Sequence, residues 1–473
     1  MRIFTLMLIL AMWLEAHGQS GRVVTVPNDP AVSAVPTSEV TVKQMFEEAN
    51  GYIRIKAAEF DSKKIEFSER LFTQAKLEQR QMAARYAATA ALRKDLASDD
   101  NYYLGMLHWI AGNLDGTLDA LRRFIPSDGP DASRRQTARS VLIIVLAKQK
   151  KMDEAETLFA EYLKNEPIKL TERSRIGGEM AKAYQAQKDF RKMAPHADLG
   201  YAASKDLLKD ASSRARGLDE ILDAGLLVYE AYRDLGDQKK ADEALEDMRR
   251  TAAGIEAPSF YYYAVDQKIK YMIETGRKSA AMDYYFSSLV NAGKDFRVKT
   301  SGEDVIARLK KREKHYKLLG EPAPELLAVD QWFPGTQKRL ANYAGKVLLL
   351  DFWATWCGPC FEAFPSLIEW HQEFNRDGFE ILGVTRYYGN VNGSPVEPAA
   401  ETTYLRQFRQ IEKLPYDFVV MKDQSAQNLY GATALPTAVL IDRKGVIRYI
   451  EAGTSSARMG QMQEMLLKLL AEK

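Results

Sequence analysis

Both cysteines of this 473-residue chain fall within one pentapeptide, Trp356-Cys357-Gly358-Pro359-Cys360. Two thiols separated by two residues can close a tight disulfide. At the start of a helix, the unpaired backbone N–H groups also favour a thiolate on the outer sulfur. The chemistry open to such a pair is thiol–disulfide exchange. Cys357, at the helix edge, is expected to be the exposed attacking thiol that forms a mixed disulfide. Cys360, one turn further in and buried, is expected to resolve it. Gly358 and Pro359 let the chain enter the helix closely, and a proline in the first turn gives up no hydrogen bond that the helix needs.

Other uses of the pair fit less well. Half of a zinc site needs more cysteines or clustered histidines, but His17, His108, His196, His315 and His371 are scattered with no i, i+4 pair, so no metal site is expected. A peroxidase of the peroxiredoxin type would want Thr or Ser three residues before its reactive cysteine, where Ala354 stands. A purely structural bond closing so short a loop would stabilise little.

A pair of this kind needs a strand to deliver it and a helix to hold it. Val347 to Phe352 is a continuous apolar run that ends at the motif, and Phe361 to Phe374 has helical character. Further short strands are expected at Glu380 to Thr385, Phe418 to Met421, Thr437 to Ile441 and Val446 to Ile450. They alternate with helices at Ala400 to Ile411 and Met459 to Leu470. Gly320, Pro322 and Pro324 mark where this pattern begins, so residues 320–473 read as an α/β domain.

Asp351-Phe352-Trp353-Ala354-Thr355-Trp356-Cys357-Gly358-Pro359-Cys360, with Pro365 five residues past the second cysteine and Leu435-Pro436-Thr437 before a late strand, resembles the thioredoxin superfamily. The lead-in Glu321-Pro322-Ala323-Pro324, the run Gly345-Lys346-Val347-Leu348-Leu349-Leu350 and the insertion after Gly383-Val384-Thr385 are similar to the exported TlpA/ResA-like thiol:disulfide oxidoreductases. The resemblance covers the C-terminal third. It implies that Asp351 accepts the proton of Cys360; read from the residues alone, Asp351 is either that base or an ordinary strand-end acid. It implies that the Leu435–Pro436 bond is cis and lies beside the cysteines, where the Leu435 backbone would pair with an extended substrate. Trp356, Gly358 and Pro359 would border the same surface. Trp353 and Trp356 either flank the disulfide or are simple packing, and the insertion Arg386 to Pro398 either shapes the substrate surface or is inert. No cofactor is implied beyond the redox-active Cys357–Cys360 pair. Gly-Pro between the cysteines resembles the reducing members, at potentials roughly near −270 mV, so a disulfide reductase of client proteins is expected; an oxidase or isomerase is the alternative. Such a reductase would draw electrons from a membrane thiol donor.

The N-terminus bears on compartment. Met1-Arg2, the apolar run Ile3 to Leu14 and Ala16-His17-Gly18 read as a signal peptide over residues 1–18, giving a periplasmic protein, or a membrane-anchored one if the leader stays uncleaved. Pro27, Pro30 and Pro36 make residues 19–40 an extended linker. Residues 41–319 read as all-helical. Turns at Gly112, Lys150, Lys188, Gly236 and Gly276 recur at intervals of 38, 38, 48 and 40 residues. Ala155, Phe159 and Pro167, with Tyr232, Gly236, Ala241 and Leu245, resemble tetratricopeptide-type repeats, which implies a solenoid that binds a partner protein; a plain helical bundle is the alternative. A scaffold with an accessory redox domain therefore competes with the enzyme reading. The tyrosines at 261–263 and 284–285 read as packing, and the basic stretch Val305 to Leu319, with Lys310-Lys311-Arg312, as a solvated helix face. A formal net charge of +2, with 27% charged residues, offers no electrostatic footprint for nucleic acid.

Overall fold

The computed structural model describes residues 40–472 except 67, 95 and 128–130, so the expected leader and nearly all of the linker lie outside the described residues. Among the described residues thirteen α-helices come first: α1 (Val42–Ser62), α2 (Glu69–Ala91), α3 (Ser98–Ala111), α4 (Leu114–Phe124), α5 (Ala132–Lys148), α6 (Met152–Lys164), α7 (Leu170–Ala186), α8 (Phe190–Leu207), α9 (Arg214–Asp234), α10 (Gln238–Gly254), α11 (Pro258–Glu274), α12 (Lys278–Asp295) and α13 (Lys299–Leu318). The chain then becomes mixed: β1 (Val329–Phe333), β2 (Val347–Phe352), α14 (Gly358–Phe374), β3 (Phe379–Arg386), β4 (Asn390–Val391), β5 (Ser394–Pro395), α15 (Pro398–Ile411), β6 (Asp417–Met421), α16 (Ser425–Tyr430), β7 (Thr437–Ile441), β8 (Ile447–Ala452) and α17 (Ser456–Ala471). The fold is thus helical through its N-terminal two-thirds and thioredoxin-like in its C-terminal third.

Local chemistry explains the helix boundaries. Thr41 and Gln44 form a reciprocal capping box that starts α1. All five expected turns are present, and each places its residue in the left-handed region: Gly112 (φ 81°), Lys150 (61°), Lys188 (59°), Gly236 (76°) and Gly276 (78°). Each also shows the same pair of closing bonds. At Gly112, for example, Gly112 N donates to Trp109 O at 3.1 Å and Asn113 N to His108 O at 2.9 Å. This is the Schellman geometry, which satisfies the last carbonyls of one helix while turning the chain into the next. The interval of 48 residues arises because α9 has 21 residues and a loop separates it from α8. At Gly177 a Cβ would lie 2.6 Å from the Gly200 nitrogen, so α7 and α8 touch backbone to backbone.

The chain divides into two compact units, residues 1–245 and 246–473, with the division inside α10. In the second unit, α11, α12 and α13 accompany a six-stranded sheet of order β1-β6-β3-β2-β7-β8. β2, β3 and β6 run parallel, and β7, β8 and β1 are antiparallel to their neighbours. On one face, Val347, Leu349, Phe379 and Ile381 form a core with residues of α14, α15 and α17.

Edge strand β8 is covered by the chain leaving α13: Gly320 N donates to Ile447 O at 2.8 Å, and Ile447 N to Glu321 O at 2.9 Å. A buried charge network reinforces that edge. Asp266 accepts from Tyr316 Oη at 2.6 Å, Arg312 Nε at 3.3 Å and Lys270 Nζ at 3.1 Å. Glu451 of β8 accepts from Lys270 at 3.0 Å and Arg312 Nη2 at 2.9 Å. Burial by itself would raise the Asp266 carboxyl, but the Lys270 and Arg312 charges and the Tyr316 hydroxyl outweigh it and hold it well below the usual range. The basic stretch on α13 is therefore not wholly a solvated face. Lys310 and Lys311 are exposed, whereas Arg312 is buried because its two acidic partners come from α11 and β8. Of the five tyrosines, Tyr261 and Tyr285 are fully buried and serve packing as expected, with Tyr261 Oη donating to Asp295 at 2.7 Å, whereas Tyr262, Tyr263 and Tyr284 are half-buried.

Candidate functional site

The site lies where β2 ends and α14 begins. β2 carries Leu348, Leu350 and Phe352 on one face and Val347, Leu349 and Asp351 on the other, by strand alternation. The second face packs beneath α14, so Asp351 shares its side of the sheet with the cysteines. Asp351 is 3% exposed, and burial pushes its carboxyl up to about 7. The phenol of Tyr416 is raised by its own burial and, after that, by the Asp351 charge, and its hydroxyl has no hydrogen-bond partner. Thr385 Oγ1, on the face of β3 that carries Phe379 and Ile381 by alternation, and Trp353 Nε1, in the same core, are likewise unpartnered. A carboxyl in such surroundings can take up or release a proton near neutral pH.

Cys357 and Cys360 are joined, with 2.05 Å between their sulfurs. Cys357 is the N-cap of α14, and Cys360 N donates to Cys357 O at 3.0 Å, closing the first turn. The expectation of an exposed Cys357 is corrected. In the disulfide it is 4% exposed, because its side chain folds back toward Cys360 at the helix start, while Trp356, Gly358 and Pro359 around it are exposed. Cys360 is buried as expected. Leu435–Pro436 is cis; Leu435 is half-buried and packs against the core that holds both cysteines, and the buried Pro436 is followed directly by β7.

The two tryptophans separate. Trp353 is fully buried, stacked on Phe408 at 5.0 Å, and is packing. Trp356 is 61% exposed and meets Tyr388 edge-on, with ring centroids 5.3 Å apart. Tyr388 belongs to the insertion after β3, which is braced from several sides. The Arg386 guanidinium sits 4.1 Å over its ring, and Gln427 Nε2 donates to its hydroxyl at 3.0 Å. The buried carboxylate of Glu401 accepts from the Tyr388 and Gly389 N–H groups, both at 2.9 Å. Neither Gln427 nor Glu401 carries a motif, and sequence reading passed over both. Farther back, His315 Nε2–H donates to Gly431 O at 2.9 Å while its Nδ1 accepts from Arg312 at 2.8 Å. Because arginine only donates and a carbonyl only accepts, the tautomer follows from the partners. The loop that runs on to Leu435–Pro436 is thereby held at its start, and Gly453 N donates to Pro436 O at 2.8 Å at its end.

A vicinal pair closed at a helix start, over a buried acid and on this sheet order, defines a thiol:disulfide oxidoreductase of the thioredoxin class. Comparison with known proteins narrows the class. Residues 319–450 match the AhpC/TSA family. The thiol-disulfide oxidoreductase ResA of Geobacillus thermodenitrificans is 33% identical over 142 residues, 30% of this chain and 74% of that protein. ResA of Geobacillus kaustophilus is 32% identical over the same shares, and ResA of Bacillus subtilis is 28% identical over 140 residues, 30% of this chain and 70% of that protein. Among solved structures, a thiol-disulfide isomerase from Corynebacterium glutamicum aligns at 20% identity with a TM-score of 0.28, covering 33% of this chain and 98% of that one. Through its C-terminal third, the chain belongs to the ResA family of thiol-disulfide oxidoreductases.

Proposed function

We propose that this protein is an exported reductase of protein disulfides, in which Cys357 attacks the client and Cys360 resolves the mixed disulfide. The observation that carries the mechanism is Asp351, a buried carboxyl on the cysteine side of the sheet whose proton affinity sits near neutrality. In the reduced protein, Cys357 as thiolate attacks one sulfur of the client disulfide, and the other leaves as a thiol after taking a proton. Asp351 accepts the proton of Cys360, whose sulfur then attacks Cys357. The Cys357–Cys360 bond forms, and the second client thiolate departs. Two electrons have passed from the dithiol to the client, and no cofactor is required in that half-reaction. Resetting the pair needs two electrons from outside, which we assign to a membrane thiol donor. We assign Trp356, Gly358, Pro359, Leu435 and Pro436 to the client-facing surface; the exposure of the first three and the packing of half-buried Leu435 against the core that holds both cysteines support this, and Pro436 itself is buried.

Residues 1–18 act as a signal for export to the periplasm, as the charge and apolar pattern of the leader supports. The helical region is a tetratricopeptide-like partner-binding domain that presents the client; the repeated Schellman turns support that reading.

The test is thiol-dependent reduction of a generic disulfide by purified protein. Activity lost in Cys357→Ser and clients held as mixed disulfides by Cys360→Ser are expected. Activity indifferent to Cys357→Ser, or a glutathione equilibrium placing the pair well above about −200 mV, would contradict a reductase.

A further inference from the structure

An inert surface loop has no need of a buried carboxylate, yet the segment after β3 is pinned by one. Glu401 is buried and its side chain accepts two consecutive backbone N–H groups, those of Tyr388 and Gly389. Burying a carboxylate is unfavourable unless hydrogen bonds replace its water, so the position of Tyr388 is a built feature of this fold. A closed polar circuit then fixes the ring. Arg386 Nε donates to Gln427 Oε1 at 3.1 Å, Gln427 Nε2 donates to Tyr388 Oη at 3.0 Å, and the Arg386 guanidinium lies over the Tyr388 ring at 4.1 Å. Arg386 Nη1 donates to Tyr387 O at 3.0 Å, so the guanidinium is engaged within the segment. What this braced ring supports is the indole of Trp356, perpendicular to it at 90° and immediately before Cys357.

We propose that Tyr388, braced by Arg386, Gln427 and Glu401, is a positioning residue. It holds Trp356 upright so that the free indole surface receives an apolar side chain adjacent to the cysteine of the incoming disulfide. This rests on the reductase reading and adds to it a substrate class: extended peptides whose reactive cysteine has an apolar neighbour. The preference is apolar because the Arg386 guanidinium is turned onto the Tyr388 ring and the Tyr387 carbonyl, while the indole of Trp356, the residue before Cys357, is 61% exposed. Leu435, half-buried against the same core, continues that apolar character.

The experiment compares two symmetrical peptide disulfides, identical except for Leu or Asp beside the cysteine, reduced by the full-length protein. Wild type is expected to favour the Leu peptide in kcat/KM by about tenfold, mostly through KM, the order of discrimination that one apolar side-chain contact supplies. Tyr388→Ala and Gln427→Ala, which loses both the bond to the Tyr388 hydroxyl and the anchor of Arg386, are expected to bring that ratio close to one, and Tyr388→Phe, which loses the first bond but keeps the ring under an anchored Arg386, to fall between them and wild type. Gln427→Ala touches neither cysteine nor Trp356 and serves if Tyr388→Ala fails to fold. Glutathione equilibration of the Cys357–Cys360 pair verifies that each variant is folded. A wild type without preference, a preference for Asp, or a ratio unchanged in both alanine variants would overturn the proposal. A loss shared equally by both peptides would do the same, since it would mark a general effect on the disulfide. Reduction of neither peptide by wild type, with no mixed disulfide trapped by Cys360→Ser, would instead sink the reductase reading and this inference with it.

Discussion

Replacing Asp351 by Asn isolates the buried acid beneath α14. The change keeps shape and removes the charge. In the folded chain the carboxyl holds its proton up to about pH 7, against an ordinary value of 3.8 in the unfolded chain. Between those values the folded state binds more protons than the unfolded state, so this group's contribution to stability falls as pH rises and is fully lost above about 7. At about 1.4 kcal/mol per unit, the deficit reaches up to about 4 kcal/mol at pH 8. Asp351→Asn should therefore match wild type near pH 4 and then gain on it by about 1.4 kcal/mol per pH unit, levelling off above 7. Urea denaturation of the oxidised proteins at pH 4, 5.5 and 8, followed by tryptophan emission, measures this, since the buried Trp353 reports on the same core. The same variant should lose the proton acceptor for Cys360, so that the rise in reductase turnover through pH 7 expected of wild type is absent from it. A stability difference that is constant across the three pH values would refute the assignment of a raised, burial-driven proton affinity to Asp351.

Other outcomes follow from packing and charge. Arg312→Ala leaves Asp266 and Glu451 with Lys270 but without the guanidinium that bonds them both, and should destabilise the second unit by about 3 kcal/mol, read as a lower denaturation midpoint. Lys150→Gly and Lys188→Gly relieve left-handed strain at two helix turns, and each should stabilise by about 1 kcal/mol, whereas Gly236→Ala at the equivalent turn should destabilise. Gly177→Ala should cost about 1–3 kcal/mol, because its Cβ would sit 2.6 Å from the Gly200 nitrogen. Its neighbour Gly178 faces open space, and Gly178→Ala should stabilise by about 1 kcal/mol; thermal melts of the pair give a direct contrast.

Elements with a strong local pattern were legible in the sequence. The expected strands Val347 to Phe352 and Thr437 to Ile441 are β2 and β7 without a residue's difference, since runs that are apolar apart from Asp351 and Thr437 suit buried strands. The five helix turns were legible because glycine or a polar residue closes each apolar helix. β1 and α16 were not foreseen. β1 is a five-residue edge strand of mixed polarity, and α16 has only six residues, too few to show a period. In the site, Cys357 and Cys360 were legible from spacing, whereas Asp351 and Pro436 stood out only through the resemblance to the thioredoxin superfamily. Gln427 and Glu401 were not legible, because their meaning lies in Tyr388 and Gly389, which only folding brings to them.

The sequence by itself determined the reactive pair, the strand and helix that present it, and the helical character of the first two-thirds, all consequences of short-range spacing and backbone preference. The tertiary structure decided what surrounds them. It buries Asp351 deeply enough to move its proton affinity and closes Cys357 beneath exposed neighbours. It also turns Arg312 from a solvated face into a buried link between helices and sheet. Burial and charge pairing depend on residues far apart in the chain, and no local pattern encodes which of them meet.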